Sequence, residues 1–262
     1  MRTVLLHYHI YKNSGTSFER VLDASFGPAH ERFDGPYPFF TIDQDQIDQI
    51  IRRRAGAVAF SSHQVLLPQP SALDYRVIAA TFLRHPILRL GSIWRYKRSA
   101  ADGTVTAELA AAHDFAGWIA ASFGIRTELT HMSNPQTRYF AGVYGRQAKV
   151  REDRHQLTYD LTTAERNLAN VELLGRTEDF DTDIQRFRKI AAGYGLDLTI
   201  PEHTHLNATE TSAATTEERV LALMAQLPQS LNDRLWDANQ QDLALYAEAE
   251  RLIKAGCAAD RA

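Results

Sequence analysis

Residues 6–19, LHYHIYKNSGTSFE, decide how this chain is interpreted. The stretch begins as an apolar run typical of a buried strand, continues through a short polar turn, and ends in residues that favour a helix. Gly15 and the small Ser14 allow the backbone to curl tightly, and the N–H groups that begin the helix point into the turn. The stretch therefore predicts a strand–loop–helix unit that holds an anion.

Side chains around this turn add charge and hydrogen-bond donors. Lys12 places a positive charge at the mouth of the loop, and the hydroxyl groups of Thr16 and Ser17 can donate to phosphate oxygens. The loop is not a Walker A motif, because that motif places its lysine after a second glycine, whereas Lys12 precedes the only glycine here. Taken alone, the stretch leaves open an ordinary strand-to-helix turn with a solvated lysine.

The rest of the chain alternates apolar runs with amphipathic segments. Strands are predicted at residues 4–10, 57–61, 75–83 and 171–175. Helices are predicted at residues 16–24, 43–54, 86–99, 114–123, 135–141, 179–192 and, with a break near Pro228, 217–254. This alternation predicts an α/β fold in which helices cover both faces of a parallel sheet.

Length and composition limit the possible functions. With 262 residues, 44% of them hydrophobic, we expect a single domain over residues 1–262 with a helical C-terminal part from about residue 215. The net charge of -3 disfavours a nucleic-acid partner. Cys257 is the only cysteine, which excludes an intrachain disulfide. No apolar run approaches the roughly 18 residues of a transmembrane segment, and a cytoplasmic location is expected.

A second candidate site follows the strand predicted at residues 75–83. Arg84 lies at the carboxyl end of that strand, where open α/β sheets bind ligands. Its planar guanidinium suits a phosphate, and Ser92 can donate a hydrogen bond from the helix that follows. The alternative is an ordinary helix on which Arg84 and Arg89 are solvated charges.

Together, the two motifs resemble the sulfotransferases that use 3′-phosphoadenosine 5′-phosphosulfate (PAPS), especially the carbohydrate branch with the heparan sulfate 2-O- and 6-O-sulfotransferases. HIYKNSGTSF, residues 9–18, is similar to the 5′-phosphosulfate loop of that branch, H-I-P-K-T-G-G-T-S. LRHPILRLGSIWRY, residues 83–96, is similar to its 3′-phosphate motif, R-x-P-x-x-R-x-x-S. Weaker similarities reach about residue 210, in NPQTRYFAG, LLGRTEDF and HLNATE. Tyr11 departs from the family pattern by replacing a proline, and Asn13-Ser14 by replacing Thr-Gly.

The resemblance implies a P-loop-like three-layer sandwich and in-line transfer of a sulfuryl group from PAPS to an acceptor hydroxyl, with PAP as product and no metal required. Lys12 would stabilise negative charge on the leaving phosphate. The residues that would bind the nucleotide are Lys12, Asn13, Ser14, Gly15, Thr16, Ser17, Arg84, Ser92 and Arg138. The acceptor would be a glycan, a glycolipid or another hydroxyl-bearing molecule, with binding loops expected at residues 26–40 and 100–113.

An acceptor hydroxyl needs a base, and His63 is the candidate. It follows the strand predicted at residues 57–61 and matches a histidine of the carbohydrate branch, whose neutral imidazole can accept the hydroxyl proton. A histidine that caps a loop is the alternative. Glu19, Asp34 or another histidine would then be the base.

Two His-x-His pairs raise the possibility of a metal site. His7 and His9 share one face of the first strand, and His203 and His205 form the second pair. Neither pair has a third ligand nearby in the sequence, so a zinc site is not predicted.

Two other functions stay open. A nucleotide kinase would use the same loop with Mg²⁺ and a nucleoside triphosphate, but the missing G-K-[ST] disfavours it. A non-catalytic module that binds a nucleotide or a glycan would retain the fold, but the joint presence of Lys12, Arg84 and His63 disfavours it.

Overall fold

The computed structural model of the protein describes residues 1–37, 40–100, 103–142, 149–151, 156–202 and 214–259. The described strands are β1 (Arg2–Tyr8), β2 (His30–Arg32), β3 (Ala59–Ser62), β4 (Tyr75–Leu83), β5 (Lys149–Arg151), β6 (Gln156–Thr158) and β7 (Leu173–Arg176). The motif HLNATE and the pair His203 and His205 lie outside the described residues.

Helices separate most of these strands. The described α-helices are α1 (Gly15–Phe26), α2 (Gln44–Arg53), α3 (Pro86–Ala100), α4 (Val105–Ala112), α5 (Phe115–Phe123), α6 (Arg126–Met132), α7 (Pro135–Phe140), α8 (Leu161–Leu168), α9 (Phe180–Ala192), α10 (Thr216–Met224), α11 (Gln229–Ala238) and α12 (Gln240–Ala259). None of them combines the length and apolar composition of a membrane-spanning segment.

A five-stranded sheet forms the centre, in the order β2-β3-β1-β4-β7, and every neighbouring pair in it is parallel. The two short strands β5 and β6 pair separately and antiparallel. The predicted α/β three-layer fold around a mainly parallel sheet is therefore confirmed.

Alternate residues of β1 supply the two faces of the core. Leu6 packs in a cluster with Ile47 of α2 and Leu245 of α12, whereas Leu5 packs in a cluster with Phe18 of α1. A strand buried on both faces has an almost continuous apolar sequence, which is why β1 and β4 could be recognised. Helices α3, α5, α10 and α11 form a further cluster of their own.

Two segments predicted as loops contain regular structure. Strand β2 lies within residues 26–40, and helix α4 lies within residues 100–113. Strand β2 is three residues long, His-Glu-Arg, at the edge of the sheet, so it lacks the apolar pattern that reveals a buried strand. Helix α4 begins where the Thr104 hydroxyl accepts a hydrogen bond from the Ala107 N–H, an N-cap that the prediction missed.

The parallel order brings the candidate residues to one edge of the sheet. In the register of the sheet, His7 lies beside Ser61 and Tyr8 beside Ser62, so β1 and β3 end at the same level. Lys12, His63 and Arg84 follow the carboxyl ends of β1, β3 and β4. This is the edge at which parallel sheets bind ligands.

Candidate functional site

The turn between β1 and α1 has an unusual backbone. Lys12 and Ser14 both take the left-handed conformation, with φ of 65° and 59°. This costs an L-residue roughly 1–2 kcal/mol, and Ser14 stands where the related motif has glycine. A side chain at Gly15 would lie 1.9 Å from the imidazole of His9, so this position requires glycine. The first turn of α1 carries no acidic residue, which leaves the positive end of its dipole for an anion.

The buried Asn13 side chain fixes the shape of the turn. It is 1% exposed, and its Nδ2 donates to the Phe82 carbonyl at 3.0 Å and to Gln136 Oε1 at 2.7 Å. The same Gln136 oxygen accepts from the Arg84 N–H at 2.9 Å, and Gln136 Nε2 donates to the Arg84 carbonyl at 2.9 Å. One amide therefore joins the Lys12 turn to the end of β4.

Helix α12 supports this amide from behind. Asp242 accepts hydrogen bonds from the backbone N–H groups of Gln136 at 3.0 Å and of Thr137 at 2.6 Å, and from the Thr137 hydroxyl at 2.7 Å. Burial raises the pKa of Asp242, and these donors oppose the rise. The C-terminal helix is thus part of the site. The sequence motifs did not reveal this support by Asp242.

Arg84 lies at the predicted position but is only 9% exposed. Its Nη1 donates to the Lys12 carbonyl at 3.1 Å, and its Nε lies 3.8 Å from Glu178 Oε1, without a hydrogen-bond partner among the described residues. Burial lowers the pKa of Arg84 to about 10, although the charge of Glu178 opposes this shift. Arg84 both supports the turn and retains an unused donor.

Positive charge is concentrated around the turn. Burial, followed by the charges of Arg84 and Arg95, lowers the pKa of Lys12 to about 8, and Lys12 Nζ lies 4.3 Å from the ring centroid of Tyr96. The charge of Arg219 on α10 also acts on Arg84. Cations that lower one another's pKa values favour a bound anion, which would relieve their repulsion.

Sequence reasoning did not assign a role to Arg95 or Arg219. Ser92 is half-buried on α3, and Arg95 lies one turn further along the same helix. The helical spacing from Ser92 could therefore have identified Arg95 as a candidate. Arg219 is distant in sequence and comes close because α10 packs on α3 at Gly91. A Cβ on Gly91 would lie 2.8 Å from Leu223 Cδ1.

The remaining nucleotide candidates occupy different positions. Thr16 is exposed in the first turn of α1, where its hydroxyl can reach a ligand, and Ser17 is buried. Arg138 is half-buried on α7, and its charge acts on His131 and Tyr139. Contact between Arg138 and a nucleotide stays a prediction.

His63 is held by Asp34. His63 Nδ1 lies 3.0 Å from Asp34 Oδ2, while Asp34 Oδ1 accepts from the His63 N–H and the Ser62 hydroxyl, both at 2.9 Å. The His63 side chain is 45% exposed. Burial and then the charge of His9 lower the pKa of His63, so the imidazole is neutral at pH 7. Asp34, which the sequence left as an alternative base, contacts and orients His63.

His9 backs the His63 ring. The two imidazoles stack with centroids 3.9 Å apart and an interplanar angle of 27°. His9 Nδ1 lies 2.9 Å from Glu19 Oε1, and Arg32 Nε lies 3.2 Å from Glu19 Oε2. Burial raises the pKa of Glu19, but the hydrogen bond and charge of His9 and the charge of Arg32 outweigh it and lower that pKa. Glu19 is therefore an ionised partner of His9.

A hydrogen-bond relay continues behind His9. His7 Nδ1 lies 3.0 Å from the Ser61 hydroxyl, which lies 2.9 Å from His30 Nε2, and His30 Nδ1 lies 2.9 Å from Asp23. Among the described residues, His7, His9 and Glu19 offer ligand atoms that all lie within 4.8 Å of one another. These three are the residues that could hold a metal ion, and Glu19 is the third ligand that sequence spacing did not reveal.

Comparison with known proteins places this arrangement in context. The model of the "Sulfotransferase family" matches residues 2–247. An "Uncharacterized protein" of Archaeoglobus fulgidus is 24% identical over 267 aligned positions, which cover 97% of this chain and 99% of that relative. The matched region includes the Lys12 turn, His63, Arg84 and the Asp242 helix.

Proposed function

Because the chain belongs to the sulfotransferase family, we propose that it transfers a sulfuryl group from PAPS to a hydroxyl of a carbohydrate or glycolipid acceptor. One observation carries the proposal: the carboxyl edge of the sheet joins a positively charged turn at Lys12 to a carboxylate-held histidine at His63. In-line transfer needs a cation beside the leaving phosphate and a base beside the acceptor.

The turn fits the anionic ends of the donor. PAPS supplies an activated sulfuryl group on a phosphate. Lys12, the hydroxyl of Thr16 and the N–H groups at the start of α1 would hold that phosphate. Arg84, together with Ser92, would hold the 3′-phosphate. Burial and then the charges of Arg84 and Arg95 lower the pKa of Lys12, and a bound anion would offset the repulsion between these cations, which supports this assignment.

On the acceptor side, Asp34 and His63 divide the work. In the tautomer in which His63 Nδ1–H donates to Asp34, the Nε2 lone pair is free to take the hydroxyl proton. The carboxylate of Asp34 stabilises the imidazolium that forms. Tyr139 donates from its hydroxyl to the His63 carbonyl at 2.7 Å and fixes the backbone behind the ring. No step is assigned to a metal.

A cavity beside Asp34 is the proposed acceptor site. It measures about 310 Å³, and its walls include Phe33, Phe40, Arg53 and Arg54. Aromatic faces suit sugar rings, and the exposed guanidinium of Arg53 suits an anionic substituent on the acceptor, whereas Arg54 is paired with Glu31. Part of its wall comes from residues 26–40, the segment in which an acceptor-binding loop is expected. We also propose that the protein is a single-domain enzyme located in the cytoplasm.

The test compares donors and then acceptors. Calorimetry should show that PAP binds and that ATP with Mg²⁺ binds far more weakly, and labelled sulfate should pass from PAPS to members of a panel of sugars and lipid-linked sugars. Tighter binding of ATP with Mg²⁺ would favour a kinase. PAP binding without transfer to any panel member would favour the binding module.

The affinity for PAP is expected to fall as the pH rises through about 8. Lys12 has a pKa of about 8 in the free protein, and a bound anion raises it, so above that pH the protein must take up a proton to bind. The affinity should fall by up to about tenfold per pH unit. Calorimetry in buffers of different ionisation enthalpy counts the proton. Lys12→Arg, which stays charged, should flatten the profile; an unchanged profile would assign the effect to another group.

A further inference from the structure

The His7, His9 and Glu19 cluster is compact and enclosed. His7 lies in β1, His9 directly follows that strand, and Glu19 lies one turn into α1. The two histidines are 1% and 6% exposed. Their ligand atoms lie within 4.8 Å of one another, and His9 Nδ1 and Glu19 Oε1 are already 2.9 Å apart. Tetrahedral zinc with bonds of about 2.0–2.2 Å needs ligands roughly 3.3 Å apart. Small side-chain movements would therefore suffice.

The chemistry of the cluster suits a borderline-soft dication. Two imidazoles and one carboxylate form a ligand set that zinc uses in proteins while keeping a fourth position open. Metal ligands are usually oriented by outer hydrogen bonds, and here Ser61 contacts His7 Nδ1 while Arg32 contacts Glu19 Oε2. Burial keeps the pKa of His7 well below the usual histidine value, so its imidazole is neutral, as a ligand must be.

The charges around the cluster also favour a dication. Glu19, Asp23 and Asp34 contribute carboxylates within the same histidine network, and Arg32 opposes them with one guanidinium. The remaining histidines of the network, His30 and His63, are each bonded to one of these carboxylates. The network therefore has an excess of negative charge that a bound cation would offset.

We propose that His7, His9 and Glu19 bind a transition-metal ion such as Zn²⁺, and that the bound ion inhibits sulfuryl transfer. An ion bound to His9 Nδ1 replaces the His9–Glu19 hydrogen bond and shifts the His9 ring, whose centroid lies 3.9 Å from that of His63. Movement of the His9 ring disturbs the stacking that holds the His63 imidazole in place, so the base is displaced from its position. The inhibition rests on the proposed function, whereas the binding does not.

The binding is tested without any activity measurement. Tag-free, chelator-treated protein is titrated with Co²⁺, whose visible absorption reports tetrahedral coordination, and Zn²⁺ competition is followed by calorimetry. One ion per chain is expected. Glu19→Gln and His7→Gln should each weaken binding by at least about 10- to 100-fold, since even outer partners of a metal site contribute that much.

Matched controls address the other histidines. His113→Gln changes an exposed histidine, and His203→Gln with His205→Gln removes the second His-x-His pair of the sequence; both should bind Co²⁺ as the wild type does. Circular dichroism checks that each variant folds. If His7→Gln does not fold, Glu19→Gln alone tests the site. Absence of Co²⁺ binding, or equal binding by the Glu19→Gln and His7→Gln variants and the wild type, overturns the site.

The inhibition is tested by transfer from PAPS. Saturating Zn²⁺ should lower wild-type turnover roughly tenfold or more, because His63 then loses part of its contribution to the rate as a general base. The turnover of His7→Gln, measured against its own metal-free rate, should resist Zn²⁺. Equal inhibition of His7→Gln overturns the inhibitory role. Co²⁺ binding in a protein that transfers no sulfate supports the metal site and counts against the proposed function alone.

Discussion

Replacing His63 with alanine is expected to lower turnover by about 10²- to 10⁴-fold, the range associated with loss of a general base. PAP affinity should stay nearly unchanged, because the imidazole belongs to the acceptor side of the site. Thermal stability should also change little, since the side chain is 45% exposed. Transfer of labelled sulfate, calorimetry with PAP and thermal unfolding measure the three quantities separately.

The pH profile gives a second readout of the same variant. The neutral imidazole is the active form, so the wild-type rate should rise with pH. Burial and the charge of His9 lower the pKa of His63, which places this rise below the ordinary histidine value of about 6.5. The His63→Ala variant should lack the rise. A chelator in the assay keeps metal ions from His9.

Asp34 and added imidazole provide matched controls. Asp34→Asn keeps the size of the residue that holds His63 but removes its charge, and it should lower turnover less than His63→Ala does. Because the ring is half exposed, imidazole in solution should partly rescue His63→Ala. Normal turnover in His63→Ala, or a loss explained by unfolding, would return His63 to a structural role and leave another histidine of the network as the base.

Replacing Lys12 with alanine is expected to lower turnover by about 10²- to 10³-fold, with a smaller loss of PAP affinity. The reason is that the ammonium group interacts most strongly when negative charge develops on the leaving phosphate. Alanine is also an L-residue and pays the same backbone cost at a φ of 65°, so the turn itself should persist. Steady-state kinetics and PAP calorimetry separate the two effects.

Lys189→Ala, on the exposed face of α9, is the matched control and should leave both quantities unchanged. A Lys12→Ala variant that lost PAP affinity as strongly as turnover would assign Lys12 to ground-state binding. The transition-state role would then belong to another cation, and Arg95, whose charge already acts on Lys12, is the first to examine.

The sheet and its edge could be predicted because their signals are local. Strands β1 and β4 are largely apolar runs. Arg84 directly follows β4 and Lys12 lies in the turn after β1, so the carboxyl ends of parallel strands had to gather these side chains. His63 was found in the same way, after β3. Strand β2 escaped because a polar edge strand of three residues has no periodic pattern.

The partners of these residues could not be predicted, because they come from distant parts of the chain. The oxygen of Gln136 meets the amide of Asn13 across 123 positions. The contact of Asp34 with His63 could not be read from the sequence, because the two residues are 29 positions apart and meet only when the chain is folded. Spacing could not assign Glu19 to His9 for the same reason, although α1 brings it there within one turn.

The hydrogen bonds that Asp242 accepts from Gln136 and Thr137 have a consequence for biosynthesis. The turn at Lys12 is translated first. The Gln136 amide that fixes this turn is supported by the carboxylate of Asp242, which lies 106 positions after Gln136. At a synthesis rate of about 5–20 residues per second, on the order of 10 s or more separates these events on the ribosome. A nascent chain therefore carries its earliest motif without the support of Asp242, and we expect the proposed nucleotide-binding turn to be completed late, when Asp242 leaves the exit tunnel.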